Sequence, residues 1–185
     1  MDMVRFDIFD RMDECSEVEV ERMLPLVSAQ RREQALRYKH TFGQYYCLKS
    51  WLMLKELSVF SSQHSDFLYN EHGKPYWENG PYFSISHCKE GIAVAVDDQP
   101  IGIDIEGIRH AEEDLIERVM NEQERQGMDE RKFTRLWTQK EAVVKAQGVG
   151  IVSFEQLQNI LSCQPSAFRL QTIEKENYIY SIAHK

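Results

Sequence analysis

No stretch of this chain approaches the ~20 consecutive apolar residues of a membrane-spanning helix. The opening Met1-Asp2-Met3-Val4-Arg5-Phe6-Asp7 lacks the basic-then-apolar order of a secretory leader. These absences predict a cytoplasmic protein without a membrane partner. Cysteine is sparse: Cys15, Cys47, Cys88 and Cys163 lie far apart with no paired spacing. They read as free thiols, neither a disulfide framework nor a zinc site. Positive charge is outweighed, with 22 Lys and Arg against 30 Asp and Glu and a formal net charge of −8. That balance argues against nucleic acid as a partner, because such proteins usually show a basic face, although net charge does not exclude a local basic patch. Low-complexity linkers are missing too. What remains is 185 residues, 42% of them hydrophobic, enough for a real core in one domain or two closely packed halves.

Against that background two segments carry chemistry. Ile101-Gly102-Ile103-Asp104-Ile105-Glu106 alternates as a strand does, so Asp104 and Glu106 share one face. Two carboxylates roughly 6–7 Å apart on one face are costly to keep charged. A divalent cation between them removes that cost, and oxygen-only ligands suit magnesium. The segment Leu136-Trp137-Thr138-Gln139-Lys140-Glu141-Ala142-Val143-Val144-Lys145 reads as a helix with Trp137, Glu141 and Lys145 on one stripe. Three carboxylates beside a lysine suit a metal-bound phosphate chain under attack. On residues alone, a solvated strand edge and a surface Glu–Lys pair account for the same pattern.

The remaining punctuation suggests two halves, 1–98 and 99–185. Val4 to Phe9 is a strand, Glu17 to Leu26 a helix, and Ala29 to Leu57 a longer helix with a break expected near Gly43. Tyr45 to Leu54 is apolar on most sides and predicts burial. Phe67 to Tyr69 is strand-like, and Asn70 to Pro75 is a turn. Tyr82 to His87 and Gly91 to Val96 are strands. The turn Asp97-Asp98-Gln99-Pro100 predicts a hairpin between the latter and the Asp104 strand. Glu112 to Met120 and Glu130 to Gln147 are helices, the second ended by Gly148, and Asn121 to Glu124 caps another. Gln158 to Ser166 is expected as an irregular loop, before strands at Phe168 to Ile173 and Tyr178 to Ala183. Strand, helices and a strand pair, used twice, define an α+β class.

The ordered motifs Gly73-Lys74-Pro75, Phe83-Ser84-Ile85-Ser86-His87, Gly102-Ile103-Asp104-Ile105-Glu106 and Trp137 to Lys145 resemble the 4′-phosphopantetheinyl transferases of the surfactin-synthetase-activating type. A weaker echo runs from Arg31 to Gly43. The smaller trimeric holo-acyl-carrier-protein synthases share the Asp strand and the Lys-Glu-Ala helix, but carry that strand near the N-terminus. Its place at residue 101 favours the two-lobed monomeric type, two similar half-domains related by a pseudo-twofold axis.

The resemblance implies transfer of the phosphopantetheine arm of coenzyme A to a serine of an apo acyl or peptidyl carrier protein. Magnesium assists, with manganese the alternative, and adenosine 3′,5′-bisphosphate leaves. It implies Asp104, Glu106 and Glu141 as metal ligands and Lys145 on the attacked phosphate. Ser86, His87, Arg31 and Thr41 fall at the 3′-phosphate, and Lys74 falls near adenine and ribose. Glu124 falls where the family has a carboxylate proposed to take the serine proton; a helix N-terminal glutamate fits that position equally well. Cys88 stands where the family usually has serine, and the Arg31–Thr41 segment is shorter than in longer members. Two rivals remain: a catalytically weak coenzyme A-binding module and a metal-dependent hydrolase. Carrier docking is expected beside the metal, on a basic or apolar patch at Ile108-Arg109-His110 and the helix from Leu115 to Met120.

Overall fold

The computed structural model of the protein describes residues 4–58, 67–150, 153–163 and 168–185. Two three-stranded antiparallel sheets carry the architecture. In the first half, β1 (Arg5–Phe9) leads through helices α1 (Glu17–Met23), α2 (Ala29–Leu36) and α3 (Thr41–Leu57) to a small ribbon, β2 (Leu68–Tyr69) and β3 (Pro75–Tyr76). The hairpin β4 (Tyr82–Cys88) and β5 (Gly91–Asp97) follows, and the sheet order is β1-β5-β4. The second half runs β6 (Ile101–Gly107), α4 (Glu113–Val119), α5 (Glu122–Arg125), α6 (Glu130–Gln147), α7 (Phe154–Cys163), β7 (Arg169–Glu174) and β8 (Tyr178–His184). Its sheet order is β6-β8-β7.

Local chemistry sets the helix limits. Ser16, Ser28 and Asp129 cap α1, α2 and α6 by accepting from the amides of Glu19, Arg31 and Lys132. Gly148 ends α6 in the left-handed region, φ 74°, where a side chain would be strained. Three sequence expectations need correction. The long first-half helix breaks at residues 37–40, not at Gly43, which lies in the first turn of α3. There the Tyr38 ring packs so closely that a Cβ on Gly43 would be 2.6 Å from it. The strand β6 does not form a hairpin with β5, because both edges of β5 are taken by β1 and β4. The expected loop from Gln158 is helix α7 as far as Cys163, since Leu157 and Ile160 recur at helical spacing and are buried. The last residues of that expectation lie outside the described ones.

Each half has its own core, around Leu48, Leu54 and Phe83 in the first and Phe133, Val143 and Leu157 in the second. A third core joins them: Ala93 and Ala95 of β5 lie among Ile101, Ile103, Ile105 and Ile182. Where β4 runs beside β6, hydroxyls stand in for carbonyls. Ile103 N donates to Ser84 Oγ at 3.1 Å and Ile105 N to Ser86 Oγ at 3.3 Å. On the other face, α6 crosses β6 at Gly102. A Cβ there would lie 1.9 Å from the Ala142 carbonyl oxygen and 2.5 Å from the Ala146 nitrogen. Only a glycine lets the helix approach that closely.

Candidate active site

The close crossing brings α6 side chains over the carboxylates of β6. Lys145 Nζ lies 2.6 Å from Asp104 Oδ1, which also accepts from Ser86 Oγ at 2.8 Å. Asp104 Oδ2 is buried with no hydrogen-bond partner among the described residues. A buried carboxylate oxygen left unmatched is expensive. Two further carboxyls feel the crowding. Burial, then Asp104, raises Glu141 to about 7. Burial and Asp104 likewise raise Glu106, against the lowering effects of Arg109, a hydrogen bond from Trp137 and Lys145. One ammonium does not balance three carboxylates held together in low dielectric. The donor set, hard oxygens with one orphaned lone pair, fits a divalent cation such as magnesium. Among the described residues, no three His, Cys, Asp or Glu side chains stand already gathered around a common point for an ion.

Beside this cluster opens a cleft of about 410 Å³, lined by Arg31 of α2, Lys74 of the β2–β3 turn, and Glu141 and Lys145 of α6, with Gln34, Tyr38, Tyr46, Tyr69 and Ser84 among its walls. Arg31 is 6% exposed. Its Nε and Nη2 donate to the Cys47 carbonyl at 2.9 and 2.6 Å, and Nη1 to Gln34 Oε1 at 2.8 Å. The guanidinium also lies 4.7 Å from the Phe67 ring centroid. All these partners are neutral, and no carboxylate pairs with Arg31 among the described residues. A buried cation without a counter-ion in a cleft wall is a site for an anion.

Other expected site residues are placed differently. Ser86 does not line the cleft: its hydroxyl is used between Asp104 and the Ile105 amide. Nor does His87, whose ring lies 3.6 Å from that of Tyr46 and 5.7 Å from that of Phe42. Packing, then Lys145, lowers its pKa and so favours the neutral ring. Thr41 starts α3 outside the cleft lining. Lys74 is in the cleft, but its ammonium donates to the carbonyls of Ile101, at 3.3 Å, and Lys145. It thereby caps the last turn of α6, and burial followed by Lys145 lowers it to about 8.

Glu124, expected at the site, does not line the cleft. Its Oε2 accepts from the Asn121 amide, closing the capping box of α5, and lies 2.9 Å from Lys140 Nζ. Lys140 is wholly buried and donates to the Leu157 and Gln158 carbonyls, each at 2.8 Å. The pair ties α5, α6 and α7 together. A carboxylate so engaged, outside the cleft, is badly placed to take a substrate proton. The helix expected to help dock the carrier is α4, and its exposed surface is mainly acidic. Its exposed residues include Glu113, Asp114 and Glu117 beside Arg118, while Leu115 and Ile116 pack inward. Gln34, Tyr46 and Tyr69 were not foreseen. They come from three elements, and no spacing in the chain links them.

Fold and site define an α+β protein with a cleft lined by Arg31, Lys74 and Lys145 beside a carboxylate cluster. The family model of the 4′-phosphopantetheinyl transferase superfamily matches residues 100–183, which span Asp104, Glu106, Glu141 and Lys145. The chain is 31% identical over 151 residues to 4′-phosphopantetheinyl transferase Sfp of Bacillus subtilis, covering 74% of this chain and 66% of that protein. It is 35% identical over 131 residues to 4′-phosphopantetheinyl transferase AcpT of Salmonella typhimurium, covering 64% of this chain and 67% of that one. To 4′-phosphopantetheinyl transferase gsp of Aneurinibacillus migulanus it is 30% identical over 136 residues, covering 68% and 57%. The chain belongs to the 4′-phosphopantetheinyl transferase superfamily. It spans between 57% and 67% of the length of these three relatives.

Proposed function

We propose that the protein moves the 4′-phosphopantetheine arm of coenzyme A to a serine hydroxyl of an apo acyl or peptidyl carrier protein. One observation carries this reading. A single cleft is lined both by Arg31, a buried cation without a counter-ion, and by Glu141 and Lys145, the latter paired with the buried Asp104 whose second oxygen is orphaned. A ligand with two separate anionic groups, such as the 3′-phosphate and diphosphate of coenzyme A, satisfies both.

In that reaction the serine oxygen forms a bond to the pantetheine-bearing phosphorus. The bond from that phosphorus to the bridging oxygen breaks, and adenosine 3′,5′-bisphosphate leaves with the electron pair. Asp104, Glu106 and Glu141 would hold magnesium, or manganese in its place, which supplies positive charge to the diphosphate. Lys145 offsets charge on the phosphoryl oxygens, and Arg31 holds the 3′-phosphate. Glu141 lines the cleft beside this cluster, and a water held there would carry the serine proton away. The same reading takes residues 1–98 and 99–185 as pseudo-twofold-related half-domains of a cytoplasmic monomer. The matching sheet orders, first strand beside last in each half, support the pseudo-twofold relation.

The test is the intact mass of an apo carrier protein after incubation with coenzyme A and magnesium. A gain of one phosphopantetheine arm, lost with chelator and in Asp104→Ala, is the expected result. Coenzyme A binding with no gain on acyl, peptidyl or aryl carriers would leave a binding module instead.

A further inference from the structure

Three side chains of the cleft wall form a chain of hydrogen bonds whose direction is dictated by chemistry. A guanidinium only donates. Arg31 Nη1 therefore donates to Gln34 Oε1 at 2.8 Å, and this turns the Gln34 amide nitrogen toward Tyr69. Gln34 Nε2 donates to the Tyr69 hydroxyl oxygen at 2.6 Å. Since Tyr69 accepts there, its own proton remains to be donated elsewhere. Among the described residues none takes it. Tyr69 is 48% exposed and lines the same cleft as Arg31.

We propose that Tyr69 is a second donor to the anionic group held by Arg31, oriented through Gln34, and that the two together select ligands carrying a phosphate monoester. The inference rests on the coenzyme A reading and makes it more specific: the selected group is the 3′-phosphate. Three features of the wall favour an anion. The Arg31 charge is undiminished, because its partners are neutral. The guanidinium is immobilised by Cys47 and Gln34 before any ligand arrives. The Tyr69 proton is directed away from Gln34. Each feature lowers the reorganisation needed on binding.

The experiment compares coenzyme A with 3′-dephospho-coenzyme A by calorimetry on the wild type, Tyr69→Phe and Gln34→Glu, with thermal midpoints as a folding control. The wild type should prefer coenzyme A. Tyr69→Phe should cut that preference about tenfold by weakening coenzyme A alone, the scale of one hydrogen bond to a charged acceptor. Gln34→Glu should cut it further, because a carboxylate there pairs with Arg31 and accepts the Tyr69 proton. Dephospho-coenzyme A affinity should stay within about twofold throughout. Full retention of the preference in Tyr69→Phe, equal weakening of both ligands, or a wild type that binds both alike would overturn the inference and leave the coenzyme A reading standing. A folded wild type that binds neither would overturn that reading itself.

Discussion

Lys74 donates to the main-chain carbonyl of Lys145, while the Lys145 ammonium lies 2.6 Å from Asp104. A residue of the first half thus holds the turn of helix that presents the Asp104-paired lysine of the second. Asn70 strengthens the clamp, since its side chain donates to the Gly148 carbonyl at 2.9 Å.

The clamp has a pH signature. Lys74 is held at about 8 in the folded protein against 10.5 ordinarily. The folded state therefore binds fewer protons than the unfolded one between pH 8 and 10.5, and this residue's contribution to unfolding free energy rises with pH across that window. Its burial penalty is present in full below pH 8. Lys74→Met should flatten the pH dependence of the urea midpoint between pH 8 and 10 relative to wild type. An unchanged slope would show that Lys74 titrates normally.

Gly102→Ala should be among the most damaging single changes. The new methyl group meets α6 backbone, which cannot rotate away, so the loss should be about 3 kcal/mol or more. Chemical denaturation checks the loss. Intact mass of the carrier, read at a temperature where the variant is folded, should show slower transfer as Lys145 is pushed off Asp104.

Lys140→Met should cost about 3–5 kcal/mol, because it leaves Glu124 and two carbonyls buried without their cation. Glu124→Gln should also lower the denaturation midpoint yet keep kcat within about twofold in folded protein, a change small on the tenfold-per-1.36 kcal/mol scale. A hundredfold fall in kcat at unchanged stability would restore Glu124 as the proton acceptor.

Magnesium binding should be visible without turnover. Millimolar magnesium should raise the wild-type thermal midpoint by a few degrees through binding to the folded state alone. Asp104→Asn should abolish that shift, because it removes the orphaned oxygen's charge. An equal shift in both proteins would place the ion elsewhere.

Arg109 is exposed and close enough to Glu106 to stabilise its charge. Arg109→Glu should raise KM for the carrier protein more than KM for coenzyme A. Equal changes in both constants would place the carrier on another face.

The strand at 101–107 and the helix at 130–147 were legible in the chain, because alternation, helical period and a closing Gly148 are local signals. Pairing was not. The turn before Pro100 announces a change of direction but cannot say that β5 has already spent both edges. Burial of Lys140 was equally hidden: its partners are two carbonyls of α7 and a capping glutamate of α5, all distant in sequence or unremarkable alone. Ser86 was singled out for a ligand, and the chain gave no sign that its hydroxyl lies between Asp104 and the Ile105 amide. The cleft itself draws on α2, α3, β2, β4 and α6, and no periodicity records such a convergence.

Among the described residues no backbone ladder joins the two sheets; the hydroxyls of Ser84 and Ser86 bridge them above an apolar seam. Rotating two short side chains is easier than breaking a ladder, so the seam can adjust by small slips while each sheet keeps its register. Arg31 stands on one side of that seam and Lys145 on the other. A long ligand gripping both becomes a strut, and its grip should stiffen the whole chain as well as fill the cleft.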